Sequence, residues 1–335
     1  MVKSTIKVIV LYFSSILVFF MASCNKDEAF VPDPVIISAF EWRISGSPDY
    51  AFPVNGLDLG FDSAIWACGD SGSVYYSNDN GLSWERKVVI SGYNLHDIAI
   101  HGWGIWVCGS DGLLIRTEDN WVSSDTIALS IDYNLYDLYF ANSTDAWMVG
   151  SPDNTGNSMI LQSKNGGNTW QSHPCGAEEI LKSVHAIGGS TWAVGMNGIF
   201  VYSLDTAQTW EVDTLAGGKH LKKVHFTDSI HGFIAGEGGL LLRTEDAGRT
   251  WNEINAFTLT DLNDIYFLNP DEGWICGEQG KVFHTTDGGL NWKVENTHSS
   301  GSLRKIMFRD PKQGLTVGAG TDNKALSIVY QLFKN

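Results

Sequence analysis

Large apolar residues recur along this chain at a fixed interval, each followed by two small or apolar positions and then a glycine. The glycines that end these runs are Gly69, Gly109, Gly150, Gly195, Gly236, Gly277 and Gly318, separated by 40, 41, 45, 41, 41 and 41 residues. Three positions ahead of each stands Trp66, Trp106, Trp147, Trp192, Phe233, Trp274 or Leu315. A unit of about 40 residues buries its faces only against neighbouring copies of itself. Seven such units predict an all-β chain, a seven-bladed β-propeller with four-stranded antiparallel blades.

Alternation and turn residues place four strands in a unit. The innermost has the form Leu-x-x-Ile/Val-x-apolar, as in Leu221 to Phe226, Leu262 to Phe267 and Leu303 to Phe308. The second ends at the repeat glycine, the third runs into an Asp-Gly turn, and the fourth starts at a Trp. The seventh unit stops after a third strand near Ala325 to Tyr330. The segment Ala39 to Ile44 precedes the first unit, and its Trp42-Arg43 resembles the fourth-strand start Trp292-Lys293. An N-terminal strand pairing into the last blade is therefore predicted to close the ring and leave no long strand edge open.

The turn between the third and fourth strands carries the most specific motif. Ser77-Asn78-Asp79-Asn80-Gly81-Leu82-Ser83-Trp84 follows the Asp-box pattern Ser/Thr-x-Asp-x-Gly-x-Thr/Ser-Trp. Close copies place Asn165 with Trp170, Asp205 with Trp210, Asp246 with Trp251, and Asp287 with Trp292. In the second unit Thr117-Glu118-Asp119-Asn120-Trp121 brings the Trp three residues early, which predicts a different turn there. These carboxylates and amides are read as structural: the Asp or Asn bonds nearby backbone amides, the glycine accepts a left-handed backbone, and the Trp covers the blade's outer edge.

Ahead of the repeats, Lys3 and Lys7 and the apolar run Val8 to Met21 read as an export signal, too short to span a bilayer as a helix. Phe20-Met21-Ala22-Ser23-Cys24 resembles a bacterial lipobox. That resemblance implies removal of a lipoprotein signal peptide at 1–23, lipidation of Cys24, and anchoring in the outer membrane. Asn25-Lys26-Asp27-Glu28 resembles a lipoprotein surface-export signal, and residues 24–37, with Pro32 and Pro34, read as a flexible tether. The propeller then occupies 38–335.

Charge narrows the partners. The 335 residues carry a net charge of −16, and losing residues 1–23 removes two lysines and no acid, giving −18. A general basic surface for nucleic acid or anionic lipid is thereby disfavoured, so membrane contact is expected only through the anchor. Cys68, Cys108 and Cys276 each precede a repeat glycine and read as small buried strand residues, whereas Cys175 reads as a loop thiol. Their spacing implies neither a disulfide framework nor a metal site. There is no Gly-Lys-Ser/Thr phosphate loop and no His-Glu-x-x-His, so no cofactor and no catalytic residue is assigned.

With Gly-Trp-Ile-Cys-Gly strands and Thr-Thr-Asp-Gly-Gly-x-x-Trp turns at this spacing, the chain resembles the photosystem II stability and assembly factor family over residues 38 to 335. The resemblance implies a non-catalytic scaffold that holds a protein partner, here one in the cell envelope, with the propeller itself a monomer. Asp-box sialidases and xyloglucan hydrolases also use this turn. The arginine cluster and Tyr-Glu constellation of a sialidase are not recognisable here. A glycan-binding or glycoside-hydrolase surface propeller remains the alternative, because paired acids cannot be judged from sequence.

Two features map to the face opposite the Asp boxes. At the start of the inner strands, Lys182, Lys222, Lys223, Arg304 and Lys305 stand against Asp97, Asp137 and Asp264. They form either a partner-binding anion surface or an inter-blade charge network. The other is a longer loop, Ser151 to Ser158, open to recognition or to drift. His185 and His225 stand where other units have Tyr139 and Tyr266, and read as packed residues rather than metal ligands.

Overall fold

The computed structural model describes residues 11–13, 16–18, 39–45, 53–60, 64–129, 131, 133–152, 157–254, 258–321 and 325–333. A short hairpin, Leu11–Phe13 with Ile16–Val18, falls within the predicted signal peptide. Cys24 and the tether at 24–37 lie outside the described residues.

Each repeat folds into an antiparallel meander, and seven such sheets make the propeller. The fourth blade is typical, with strands Leu181–Ile187, Ser190–Gly195, Ile199–Ser203 and Glu211–Thr214 in that order from the channel outward. Its second strand is buried almost end to end and its fourth is exposed throughout, as the apolar and polar runs of the sequence require. The seventh blade takes Ser302–Asp310, Gln313–Ala319 and Ala325–Phe333 from the C-terminal end of the chain and Ala39–Ile44 from before the first blade. Phe40 pairs with Leu332, Trp42 with Tyr330 and Ile44 with Ile328, so the predicted closure is present.

Neighbouring blades are joined by the aromatic residues of the repeat. The second-strand Trp192 stacks on Phe226 of the next blade at 3.6 Å between centroids, Phe233 on Phe267 at 4.6 Å, and Trp274 on Phe308 at 3.5 Å. Burying each such ring stabilises the interface by about 1.5–3 kcal/mol. Trp170, Trp210, Trp251 and Trp292 of the Asp boxes pack, half-buried, against residues of the preceding blade, and Trp84 is buried against Leu315 and Val317.

The Asp box is a closed hydrogen-bond unit. In the fifth blade Thr244 Oγ1 donates to Asp246 Oδ1 at 2.8 Å and accepts from the Gly248 amide at 3.0 Å. Asp246 also accepts from the Thr250 amide at 2.9 Å and from its hydroxyl at 2.6 Å. The centre of the turn is left-handed, which favours glycine, and at Gly167 it also touches the neighbouring blade, where a Cβ would lie 2.5 Å from the Trp106 ring; the fourth box holds Ala207 there at φ 64°.

The second blade departs from expectation. Thr117, Asp119 and Ser123 form the same bonds as the other boxes, with Ser123 donating to Asp119 through its amide at 2.8 Å and its hydroxyl at 2.6 Å. The turn is therefore the same. What differs is occupancy: Trp121 holds the glycine position at φ 68°, and Ser124 holds the Trp position. Cys175 lies in a loop just after the strand Gln171–Pro174, as read, and is buried there, with Sγ 3.5 Å from the Ser158 carbonyl.

Candidate functional site

The first strands of all seven blades share one irregularity that the sequence did not announce. Each ladder slips by one residue after its first pair, between Val54 and Gly56, Leu95 and Asp97, Leu135 and Asp137, Leu181 and Ser183, Leu221 and Lys223, Leu262 and Asp264, and Leu303 and Lys305. A bulge leaves its extra residue unpaired and re-aims the side chain. Two concentric sets of residues result, where alternation alone had placed one.

The bulge residues are Asn55, His96, Tyr136, Lys182, Lys222, Asn263 and Arg304, and they link blade to blade where the first strands begin. Asn55 Nδ2 donates to the Leu95 carbonyl at 2.8 Å, and Asn263 Nδ2 to the Leu303 carbonyl at 2.7 Å. His96 stacks on Tyr136 at 5.2 Å, and the Lys182 ammonium lies 3.4 Å from the centre of the Tyr136 ring. Lys222 donates to Asp261 and Asn263, both at 2.7 Å, and Arg304 donates to Asn55.

Lys182 and Arg304 have no carboxylate partner among the described residues. Burial of Lys182 against the neighbouring blade pulls its pKa down to about 8, so its charge is held there at a cost that an incoming anion would offset.

The next position inward lines the channel. Lys223 lies 3.1 Å from Asp137, and Lys305 lies 2.9 Å from Asp97 and 3.5 Å from Asp137. The aspartates are tied to the following blade as well. Asp97 accepts from the Leu138 amide at 3.1 Å, Asp137 from Val184 at 2.8 Å and Asp264 from Ile306 at 2.9 Å. Burial raises Asp97 to about 6 and raises Asp264, whereas for Asp137 the two lysines and the Val184 amide outweigh burial and hold the carboxyl low. The five basic residues thus separate: Lys223 and Lys305 sit in ion pairs inside the channel, while Lys182, Lys222 and Arg304 stand at its rim.

Below the charged tier come Asp58, Tyr139, His185, His225, Tyr266 and Met307, around a cavity of ≈ 290 Å³. His185 and His225 lie 5.0 Å apart, and His185 packs on Tyr139 at 4.4 Å. Burial lowers both imidazoles, His225 to about 3, so both are neutral. Among the described residues no cluster of three or more His, Cys, Asp or Glu is arranged to hold a metal. The bulges were missed because they have no composition signal of their own. Only the repeated pairing of a polar residue with a charged one just after the leading Leu or Val hinted at two levels.

The Asp-box residues Asp79, Asn165, Asp205, Asp246 and Asp287 lie at the turns between third and fourth strands, each satisfied within its own turn. Hydrogen bonds from Thr209 lower Asp205 to about 2, the behaviour of a fixed acceptor rather than a proton donor.

A family model described as Photosynthesis system II assembly factor YCF48 matches residues 117–217 and 209–300. No curated protein matches the chain. Among solved structures, one described as YCF48 bound to D1 peptide superposes with a TM-score of 0.71 at 18% identity, covering 88% of this chain and 95% of that one. YCF48 from Cyanidioschyzon merolae gives 0.69 at 18% identity over 87% and 98%. A catalytically inactive virginiamycin B lyase from Staphylococcus aureus with quinupristin gives 0.73 at 11% identity over 88% and 100%. At these identities the superpositions speak for the propeller fold alone.

Proposed function

The chain belongs to the Photosynthesis system II assembly factor YCF48 family, and from that membership we propose that it is a non-catalytic scaffold whose channel rim holds an acidic segment of a protein partner. The observation that carries the proposal is the pair of rim cations, Lys182 and Arg304, that lack a carboxylate partner among the described residues. A carboxylate brought by a partner would find preorganised charge there, held by an aromatic ring and by Asn55. That a family member was solved with a D1 peptide is consistent with peptide capture on this fold.

The N-terminal segment extends the proposal to a place. Export by residues 1–23 and lipidation at Cys24 would tether the propeller to the outer membrane as a monomer, with the partner another envelope protein. Crosslinking pull-downs from intact cells test this directly. The native chain should recover a specific protein that a Lys182→Ser, Lys222→Ser, Arg304→Ser variant loses while keeping its melting temperature. Equal recovery by both would remove the rim from the proposal, and a Cys24→Ser variant still sedimenting with membranes would remove the anchor.

A further inference from the structure

We propose that the Asp-box side of the second blade carries a binding shelf for a neutral pyranose glycan, with the Trp103 indole as its platform. A pocket of ≈ 560 Å³ opens there, lined among the described residues by Gly60 and Trp66 of the first blade and by Gly102, Trp103, Glu118 and Asn120 of the second. This is a volume typical of small-molecule sites.

The hairpin that carries the platform is anchored. Trp103 occupies the tip of a two-residue hairpin closed by the His101 and Gly104 pair, with Gly102 at φ 60°. His101 anchors that hairpin by stacking flat on Phe140 of the third blade at 4.5 Å. The indole itself is 93% exposed, the most exposed large hydrophobic side chain among the described residues. An indole presented to solvent on an anchored hairpin, at the wall of a pocket, offers a flat apolar face to a ligand.

The opposite wall follows from the departure in this blade's Asp box. In the third, fifth and sixth blades the box glycine lies against the second-strand aromatic of the preceding blade, Gly167 on Trp106, Gly248 on Trp192 and Gly289 on Phe233. Here the bulky Trp121 takes that place and packs into the cluster containing Trp66. The same turn sets Glu118 and Asn120 on the pocket wall facing the hairpin.

These groups select the ligand class. Ala64, Trp66, Ile100 and Ile105 make the rest of the lining apolar, and the indole of Trp103 offers a flat apolar face. The wall offers a carboxylate and an amide, which together accept from and donate to hydroxyls. A pyranose ring presents C–H faces and equatorial hydroxyls in that alternation. Glu118 lies 3.5 Å from the Arg116 guanidinium, and an apolar peptide side chain would cover this ion pair and the Asn120 amide without offering either a hydrogen bond. An acidic sugar would face that carboxylate and a chain of net charge −16.

Calorimetric titration of the full chain with cellotetraose, maltotetraose, mannotetraose and tetragalacturonate tests the assignment, with a Leu- and Phe-rich decapeptide as the competing probe. At least one neutral tetrasaccharide should bind and shift the tryptophan emission. Trp103→Ala should weaken that binding at least tenfold without moving the melting temperature, Trp103→Phe by less, and Glu118→Gln at least threefold. A Lys182→Ser, Arg304→Ser variant should bind as the native chain does, which separates this site from the channel rim. No binding by any neutral tetrasaccharide, undiminished binding by Trp103→Ala, or binding of only tetragalacturonate or the decapeptide would overturn the proposal.

Discussion

Trp42 and Tyr330 stand opposite each other in the seventh blade, 288 positions apart in the chain, with ring centroids separated by 5.0 Å. Trp42 is buried and also meets the edge of Phe308 at 5.8 Å. The first strand of the ring is thus locked to the last, and the two ends of the repeat array share one aromatic cluster.

Replacing Trp42 by Ala should cost about 3–5 kcal/mol in urea melts, because a fully enclosed indole leaves a cavity. Deleting residues 39–44 should go further, exposing Ala325–Phe333 as an unpaired edge and producing concentration-dependent aggregation. A loss below about 1 kcal/mol for Trp42→Ala would contradict ring closure through this strand.

The Asp boxes should tolerate amides. Asn165 already serves in the third blade, accepting from the Thr169 amide at 2.9 Å while its own amide donates to the Thr169 hydroxyl at 2.9 Å. Asp246→Asn should therefore change stability by less than about 0.5 kcal/mol, whereas Asp246→Ala, which orphans the Thr250 donors, should cost about 1 kcal/mol. Chemical denaturation of the two variants side by side distinguishes a structural carboxylate from one whose proton matters.

Charges in the channel and at its rim should differ sharply in stability. Lys305→Met leaves Asp97, Asp137 and Asp264 with only Lys223 to offset them, and should cost about 3–5 kcal/mol. Lys182→Ser removes a cation with no carboxylate partner among the described residues and should stay within about 1 kcal/mol, the scale of a half-exposed cation–π contact. Equal losses in the two variants would show that rim and channel form a single structural network.

Asp58 gives a pH dependence with a definite sign. Its carboxylate accepts from the Ile100 amide at 2.6 Å and the Leu59 amide at 2.7 Å, yet burial, with the nearby charge of Asp97, raises its pKa to about 7. An unfolded Asp titrates near ~4, so between these values the folded protein holds a proton that the unfolded chain has lost. Stability from this group is full below pH ~4 and declines as pH rises towards 7. Asp58→Asn should remove that decline, gaining on the order of 2–3 kcal/mol relative to the native chain between pH 5 and pH 8. A melting-temperature difference that stays flat across this range would show that Asp58 is ionised throughout.

Periodicity in the chain determined the propeller, its seven blades, the strand order within a blade and even the borrowed strand Ala39–Ile44, because these depend on spacing and on alternation between buried and exposed positions. It also determined the Asp-box chemistry, which is local: a hydroxyl, a carboxylate or amide and a tight turn within eight residues satisfy one another.

Tertiary structure alone decided which charges meet. Lys182, Lys222 and Lys223 form one basic group in sequence, but the bulge after each leading Leu puts Lys182 on the rim above Tyr136 and Lys223 in the channel beside Asp137. Lys305 reaches Asp137 across 168 positions. Such pairings are fixed only when seven first strands converge on one axis, and no pattern within a single repeat encodes the distance between them. In the second blade the conserved bonding of Asp119 is likewise visible only once Trp121 is seen to occupy the left-handed position that glycine fills elsewhere.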